Sequence, residues 1–313
     1  MDKKRIALFV LGFAIVGLLS YLFGVGIFKN INSQSQNNSS KIQAAASFYP
    51  LYYFSQQIGG DKVDVINLTP AGAEPHDYEP TAQDIAKIEN AKLLVLNGGG
   101  LEAWGSDIKQ NLQSKNTVIV TVGEGLTNQQ VMEEGENMTD PHIWLSPPLA
   151  KEIVDKITNG FIQIDPANKD YYQSNATALK AKLGDLDMQY RQGLASCQEK
   201  NIITSHAAFG YLATAYGLHQ VPITGLSPDA EPSPQQLADI VKFAKANNVK
   251  YIFFESLVSP KLSNTIASEV GAKTLVLNPI EGLTNEEISQ GKSYFTEMES
   301  NLANLQTALQ CKK

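Results

Sequence analysis

From Lys41 onward, short apolar runs alternate with stretches whose apolar residues recur every three or four positions. The runs IQAAASF, VDVINLT, AKLLVLN and NTVIVTV read as strands. Between them PLYYFSQQIG, TAQDIAKIENA and LEAWGSDIKQNL have helical spacing. Such alternation predicts a parallel sheet covered by helices, because successive parallel strands need a crossover connection. Residues 146–196 break the rhythm. They hold no credible strand, and Tyr172, Ala176, Leu179, Leu183, Leu186, Tyr190 and Leu194 form one apolar stripe at helical spacing. Pro166 falls in the first turn of that helix or kinks it near Asp165. Strands NIITS, HQVPIT, VKYIFFE and AKTLVLN then alternate with AAFGYLATAYG, SPQQLADIVKFAKANN and PKLSNTIASEVG, and a final helix covers 284–309. The pattern predicts an α/β protein with two lobes, 41–145 and 197–313, each a parallel sheet flanked by helices. One long linking helix over 146–196 joins them, and the two halves echo each other in layout.

The N-terminus differs in kind. Residues 6–28 carry no charge and follow MDKKR. A bilayer core needs roughly 20 apolar residues of helix, so this run can span it. The basic residues before it would stay in the cytoplasm, leaving the remainder outside. Segment 1–28 thus reads as a membrane anchor or a signal segment. The anchor fits better, because a signal peptide has an apolar core of about 7–15 residues closely followed by small residues. The small-residue site Ala44–Ala46 lies well past the run, and no cysteine follows the run to accept a lipid. Residues 29–40, KNINSQSQNNSS, read as a flexible polar tether reaching on the order of 20 Å. In an exported chain Cys197 and Cys311 can pair or remain thiols. Spacing alone leaves both open.

Charged residues make up 18% and hydrophobic ones 43%, an ordinary globular balance. The net charge is −7 and the only basic cluster is Lys3, Lys4 and Arg5, which argues against nucleic acid as a partner. The chemistry rests on four histidines. His76 follows VDVINLT, His142 follows NTVIVTV after a longer loop, and His206 directly follows NIITS. Asn278 ends AKTLVLN. Open α/β sheets place ligands beyond the carboxyl ends of their strands, so a cleft between lobes would gather these four positions. Three neutral imidazoles and one more donor suit tetrahedral Zn²⁺. Pro75 and Pro141 restrict the backbone before two of the histidines. Glu74 is a candidate fourth ligand, an outer hydrogen-bond acceptor, or an exposed loop charge. His219 starts a strand and reads as structural or exposed, and Trp144 reads as core packing that anchors the His142 loop. A zinc hydrolase could use three histidines and an open position, yet no H-E-x-x-H and no placed general base is present, so a non-enzyme is expected.

Several segments together resemble a known family. SFYPLYYFSQQIGG, PHDYEPTAQDIAKIENAKLLVLNGGGLEAW, DPHIWLSP, SHAAFGYLATAYGL, AEPSPQQLADIVKFAKANNVKYIFFE and LVLNPIEGL occur in the order found in the zinc and manganese solute-binding proteins of bacterial ABC importers, cluster A-I. The resemblance covers about 41–310. It implies two α/β lobes bridged by a rigid helix, with metal between them, in a monomeric receptor outside the cytoplasmic membrane that delivers Zn²⁺ to an ABC permease. The ligands it implies are His76, His142 and His206. Manganese-type members usually carry Glu at the third position, so His206 points to zinc, with a manganese or iron receptor as the alternative. The fourth position, commonly Asp, is here Asn278, a neutral and weaker donor, so Asn278, water or Glu74 would complete the set or support it from outside. Zinc members often have a histidine-rich loop before the second metal histidine. Here residues 123–139 contain Glu124, Glu133, Glu134 and Glu136 and no histidine, and read as an acidic surface loop. The N-terminal helix would stand in for the lipid of relatives and keep the receptor near its transporter.

Overall fold

The computed structural model describes residues 41–113, 115–133 and 135–312. The anchor and tether segments 1–28 and 29–40 lie outside these residues. Among the described residues no helix is long and apolar enough to cross a membrane.

The first lobe contains β1 (Ile42–Ala46), α1 (Tyr49–Gly59), β2 (Val63–Asn67), α2 (Ala82–Asn90), β3 (Leu93–Leu96), α3 (Gly105–Leu112) and β4 (Val118–Thr121). A hairpin, β5 (Gln130–Glu133) and β6 (Glu136–Thr139), follows. Then come α4 (Pro147–Ile164) and α5 (Lys169–Ala195). The second lobe contains β7 (Asn201–Thr204), α6 (Gly210–Tyr216), β8 (His219–Pro222), α7 (Pro234–Ala246), β9 (Tyr251–Phe254), α8 (Lys261–Val270), β10 (Lys273–Val276), α9 (Asn285–Ser289) and α10 (Tyr294–Ala308).

Both four-stranded sheets are parallel, in orders β2-β1-β3-β4 and β10-β9-β7-β8. Renumbered within its lobe, the second order is the first read from the other edge. The two halves therefore share one topology. All eight strand runs predicted above form strands at the expected places.

Two helical segments differ from the expectation. Segment 146–196 is two packed helices, α4 and α5, rather than one. Pro166 has no N–H to continue the ladder and excludes the helical conformation for Asp165, which sits at φ −147°, ψ 71°. The Asp165 carboxylate then accepts from Asn168 Nδ2 and Tyr172 Oη, both at 2.7 Å, and starts α5. Likewise 284–309 is divided. Gly291, at φ 79°, turns the chain between α9 and α10, and each helix begins with its own capping box, at Thr284/Glu287 and Ser293/Thr296.

The predicted stripe on α5 is buried along its whole length, from Tyr172 to Leu194. It belongs to one continuous apolar core with Phe48 and Phe54 of the first lobe, Phe161 of α4, and Phe209 and Tyr294 of the second. Smaller cores lie under the outer helices of each sheet. Burial of each large side chain contributes about 1.5–3 kcal/mol, so the shared core fastens the lobes together.

Cys197, just after α5, is bonded to Cys311, just after α10. The link closes a span of 114 residues that brackets the whole second lobe. Restricting so long a loop in the unfolded chain is worth about 2–5 kcal/mol. Cys197→Ser with Cys311→Ser is expected to lower the urea midpoint accordingly; an unchanged midpoint would show that the link adds no stability.

Candidate metal centre

Every chemically active side chain at the cleft leaves the carboxyl end of a strand. His76 lies on the irregular segment between β2 and α2. Its backbone N–H donates to Glu74 Oε1 at 3.3 Å, and the segment is tied to the other lobe by Gly72 N–H donating to Leu283 O at 3.1 Å. His142 follows the β5–β6 hairpin, so the loop read as an acidic surface feature has regular structure. That hairpin region leans on the second lobe: the Tyr211 hydroxyl accepts from Asn128 and Gln129 N–H and donates to Asp140 O. Asn97 Nδ2 donates to Pro141 O at 2.9 Å, fixing the peptide before His142. His206 follows β7, and Glu281 lies in the loop after β10.

The three imidazoles converge with Glu281. His142 Nε2 lies 3.3 Å from both His76 Nε2 and His206 Nε2. Glu281 Oε1 is 3.4, 3.2 and 3.3 Å from the Nε2 atoms of His76, His142 and His206. A tetrahedron with Zn–N bonds of 2.0–2.1 Å has edges of about 3.3–3.4 Å. Five of the six edges are thus in place, and all four donor atoms lie within 4.8 Å of one another. His142, His206 and Glu281 are sealed from solvent, whereas the His76 side chain is 10% exposed and forms the outer wall.

Two carboxylates set the imidazole tautomers. His142 Nδ1 lies 2.8 Å from Asp140 Oδ1, and His206 Nδ1 lies 2.7 Å from Glu255 Oε1. An ionised carboxylate only accepts, so each Nδ1 carries the proton and each Nε2 lone pair faces the centre. Burial disfavours the cationic form of His206, but Glu255 and Glu281 outweigh it and hold its pKa well above the usual value. His142 is raised in the same contest, with Asp140 and Glu281 prevailing over burial. His76 is lowered, because burial prevails over Glu281. Burial also raises Glu281, yet the three imidazoles bring its carboxyl well below the usual range.

Neither predicted candidate for the fourth position joins the cluster. Asn278 is buried in hydrogen bonds of its own. Its Oδ1 accepts from Ile280 N–H and its Nδ2 donates to Glu297 Oε2. Glu74 is half-buried rather than exposed; burial and the neighbouring Glu281 charge push its carboxyl up to about 9. Protonated at neutral pH, it is a poor ligand and serves instead to hold the His76 amide. Sequence reasoning missed Glu281, although it stood in LVLNPIEGL as one carboxylate among Leu277, Ile280 and Leu283. It also missed Asp140 and Glu255, whose signals were Asp-x-His in DPHIW and a glutamate closing the strand YIFFE. His219 is exposed and Trp144 is buried, as read.

The periplasmic zinc-uptake complex component A family matches residues 45–308. The high-affinity zinc uptake system protein ZnuA of Bacillus subtilis (strain 168) is 44% identical over 286 residues, covering 88% of this chain and 90% of that protein. The zinc-binding protein AdcA of Streptococcus pyogenes serotype M1 is 38% identical over 288 residues, 85% of this chain; the match spans 55% of the longer AdcA. Among solved structures, the Zn(II)-bound ZnuA-like domain of Streptococcus pneumoniae AdcA is similar at TM-score 0.75 and 40% identity, covering 86% of this chain and 99% of that one.

Proposed function

The chain belongs to the periplasmic zinc-uptake component A family, and from that premise we propose that it is an extracytoplasmic receptor that captures Zn²⁺ and hands it to an ABC permease. His76, His142, His206 and Glu281 are the ligands. The observation that carries this reading is the set of donor separations of 3.2–3.4 Å around one centre. Three nitrogens and one oxygen suit zinc, whereas manganese favours oxygen-rich, six-coordinate sites. A catalytic zinc site keeps a position open for water. Here Glu281 fills that position, which supports binding and transport over hydrolysis. The charge-free run 6–28 supports a tether to the cytoplasmic membrane, and the disulfide suits an oxidising compartment.

The test is metal competition. The full chain, free of any histidine tag and stripped with chelator, is offered Zn²⁺ and Mn²⁺ together at neutral pH. One zinc per chain is expected, with manganese unable to displace it. No stoichiometric metal, or preferential retention of manganese, overturns the reading.

A further inference from the structure

The backbone that delivers Glu281 is held in an unfavourable conformation. Ile280, immediately before it, has φ +58°. A β-branched residue rarely adopts the left-handed region, and such a conformation persists only where its surroundings over-determine it. Here five hydrogen bonds do so within a buried patch. Asn278 Oδ1 accepts from Ile280 N–H at 2.8 Å, and Asn278 Nδ2 donates to Glu297 Oε2 at 3.0 Å. Asn278 N–H donates to Asn301 Oδ1, and Asn301 Nδ2 returns a bond to Asn278 O at 2.7 Å. Trp144 Nε1, two residues past His142, donates across the cleft to Pro279 O at 2.8 Å.

We propose that Asn278 is the positioning residue for the fourth ligand: its side-chain turn forces Ile280 into the left-handed conformation and so aims the Glu281 carboxylate at the three imidazoles. The proposal rests on the receptor reading above. The amide is required because it does two opposite things at once. Its oxygen accepts from the strained peptide while its nitrogen donates to Glu297. A carboxylate here would meet the Glu297 carboxylate at the position where the bond now lies, and an apolar side chain would leave the Ile280 N–H without a partner. Asn278 never touches the metal, so its effect passes entirely through Glu281.

The experiment is a double-mutant cycle on zinc affinity, read by competition with a chromophoric chelator on the full chain. Asn278→Ala is expected to weaken zinc about 10–100-fold, the usual effect of losing an outer-shell partner. In an Glu281→Ala background the same change is expected to alter affinity less than about threefold, because the group it aims is gone. Exchanging the pair, Asn278→Asp with Glu297→Gln, keeps the oxygen that accepts from Ile280. It reverses the donor and acceptor of the second bond and is expected to restore near-native affinity. Lys292, which lies between Glu287 and Glu297, retains Glu287 as its partner. The Co²⁺-substituted protein adds a spectroscopic check: the visible bands of Asn278→Ala are expected to move toward those of Glu281→Ala. Native affinity in Asn278→Ala overturns the proposal. So does an equal loss in both backgrounds, or a swapped pair as weak as the alanine. If the unaltered chain takes up no zinc, the receptor reading fails first; if it binds and only the cycle is additive, the positioning role alone falls.

Discussion

His206→Asn is expected to lower zinc affinity by about two to three orders of magnitude at neutral pH. Tetrahedral sites with four protein ligands are worth roughly 10–16 kcal/mol, so one ligand in four accounts for about 2.5–4 kcal/mol. Asparagine is chosen because its amide can still donate to Glu255, which is 3% exposed and would otherwise be left facing a cavity. His142→Ala is expected to lose a similar amount. Asp140 would keep its bond to the residue 142 amide, so the loop retains its turn. Affinity is measured by chelator competition and the metal-free fold by its thermal midpoint. Native zinc affinity in either variant would remove that histidine from the ligand set.

The second large effect is on pH. In the metal-free protein carboxylates outweigh burial and raise the pKa of His206 and His142, so protons compete with zinc for the Nε2 lone pairs to a higher pH than at a free imidazole. The sign follows from linkage. A raised imidazole pKa stabilises the metal-free fold fully below about pH 6.5, and that contribution fades as pH rises through the raised value. Zinc stabilisation runs the other way, because each proton must leave before the metal binds. Affinity is expected to fall about tenfold per pH unit for each proton displaced, hence at least a hundredfold between about pH 7.5 and pH 5.5. Calorimetry in buffers of different ionisation enthalpy reports the protons directly. Zinc affinity independent of pH over this interval would mean that the imidazoles are already neutral before metal arrives.

How much of this was legible beforehand depended on range. The strands were readable because β-branched and aliphatic runs report locally, and the stripe from Tyr172 to Leu194 because helical periodicity does. The three histidines stood out by lying at strand ends in a chain with only four. The hairpin 130–139 escaped because QVME and ENMT are short and exposed, and their pairing is stabilised by contacts such as Leu226 N–H to Glu133, 93 positions away. Glu281 escaped for a similar reason. Its direction is set by Ile280, and the conformation of Ile280 is set by Glu297, Asn301 and Trp144, all distant in the chain. Asn278 occupied the place where a ligand was sought, and only the paths of its hydrogen bonds reveal that it builds the turn.

The apolar core shared by both lobes has a mechanical consequence. Phe48 and aromatic rings from α1, α4, α5 and α10 share this core, so swinging one lobe from the other would expose them to water together. The irregular span from Leu68 to Thr81 carries the partly exposed His76 and is moored to the far lobe by the bond from Gly72 N–H to Leu283 O. In the receptor proposed above, a permease that lifted this one segment would withdraw the His76 donor without deforming either sheet, so release would not require the two lobes to part.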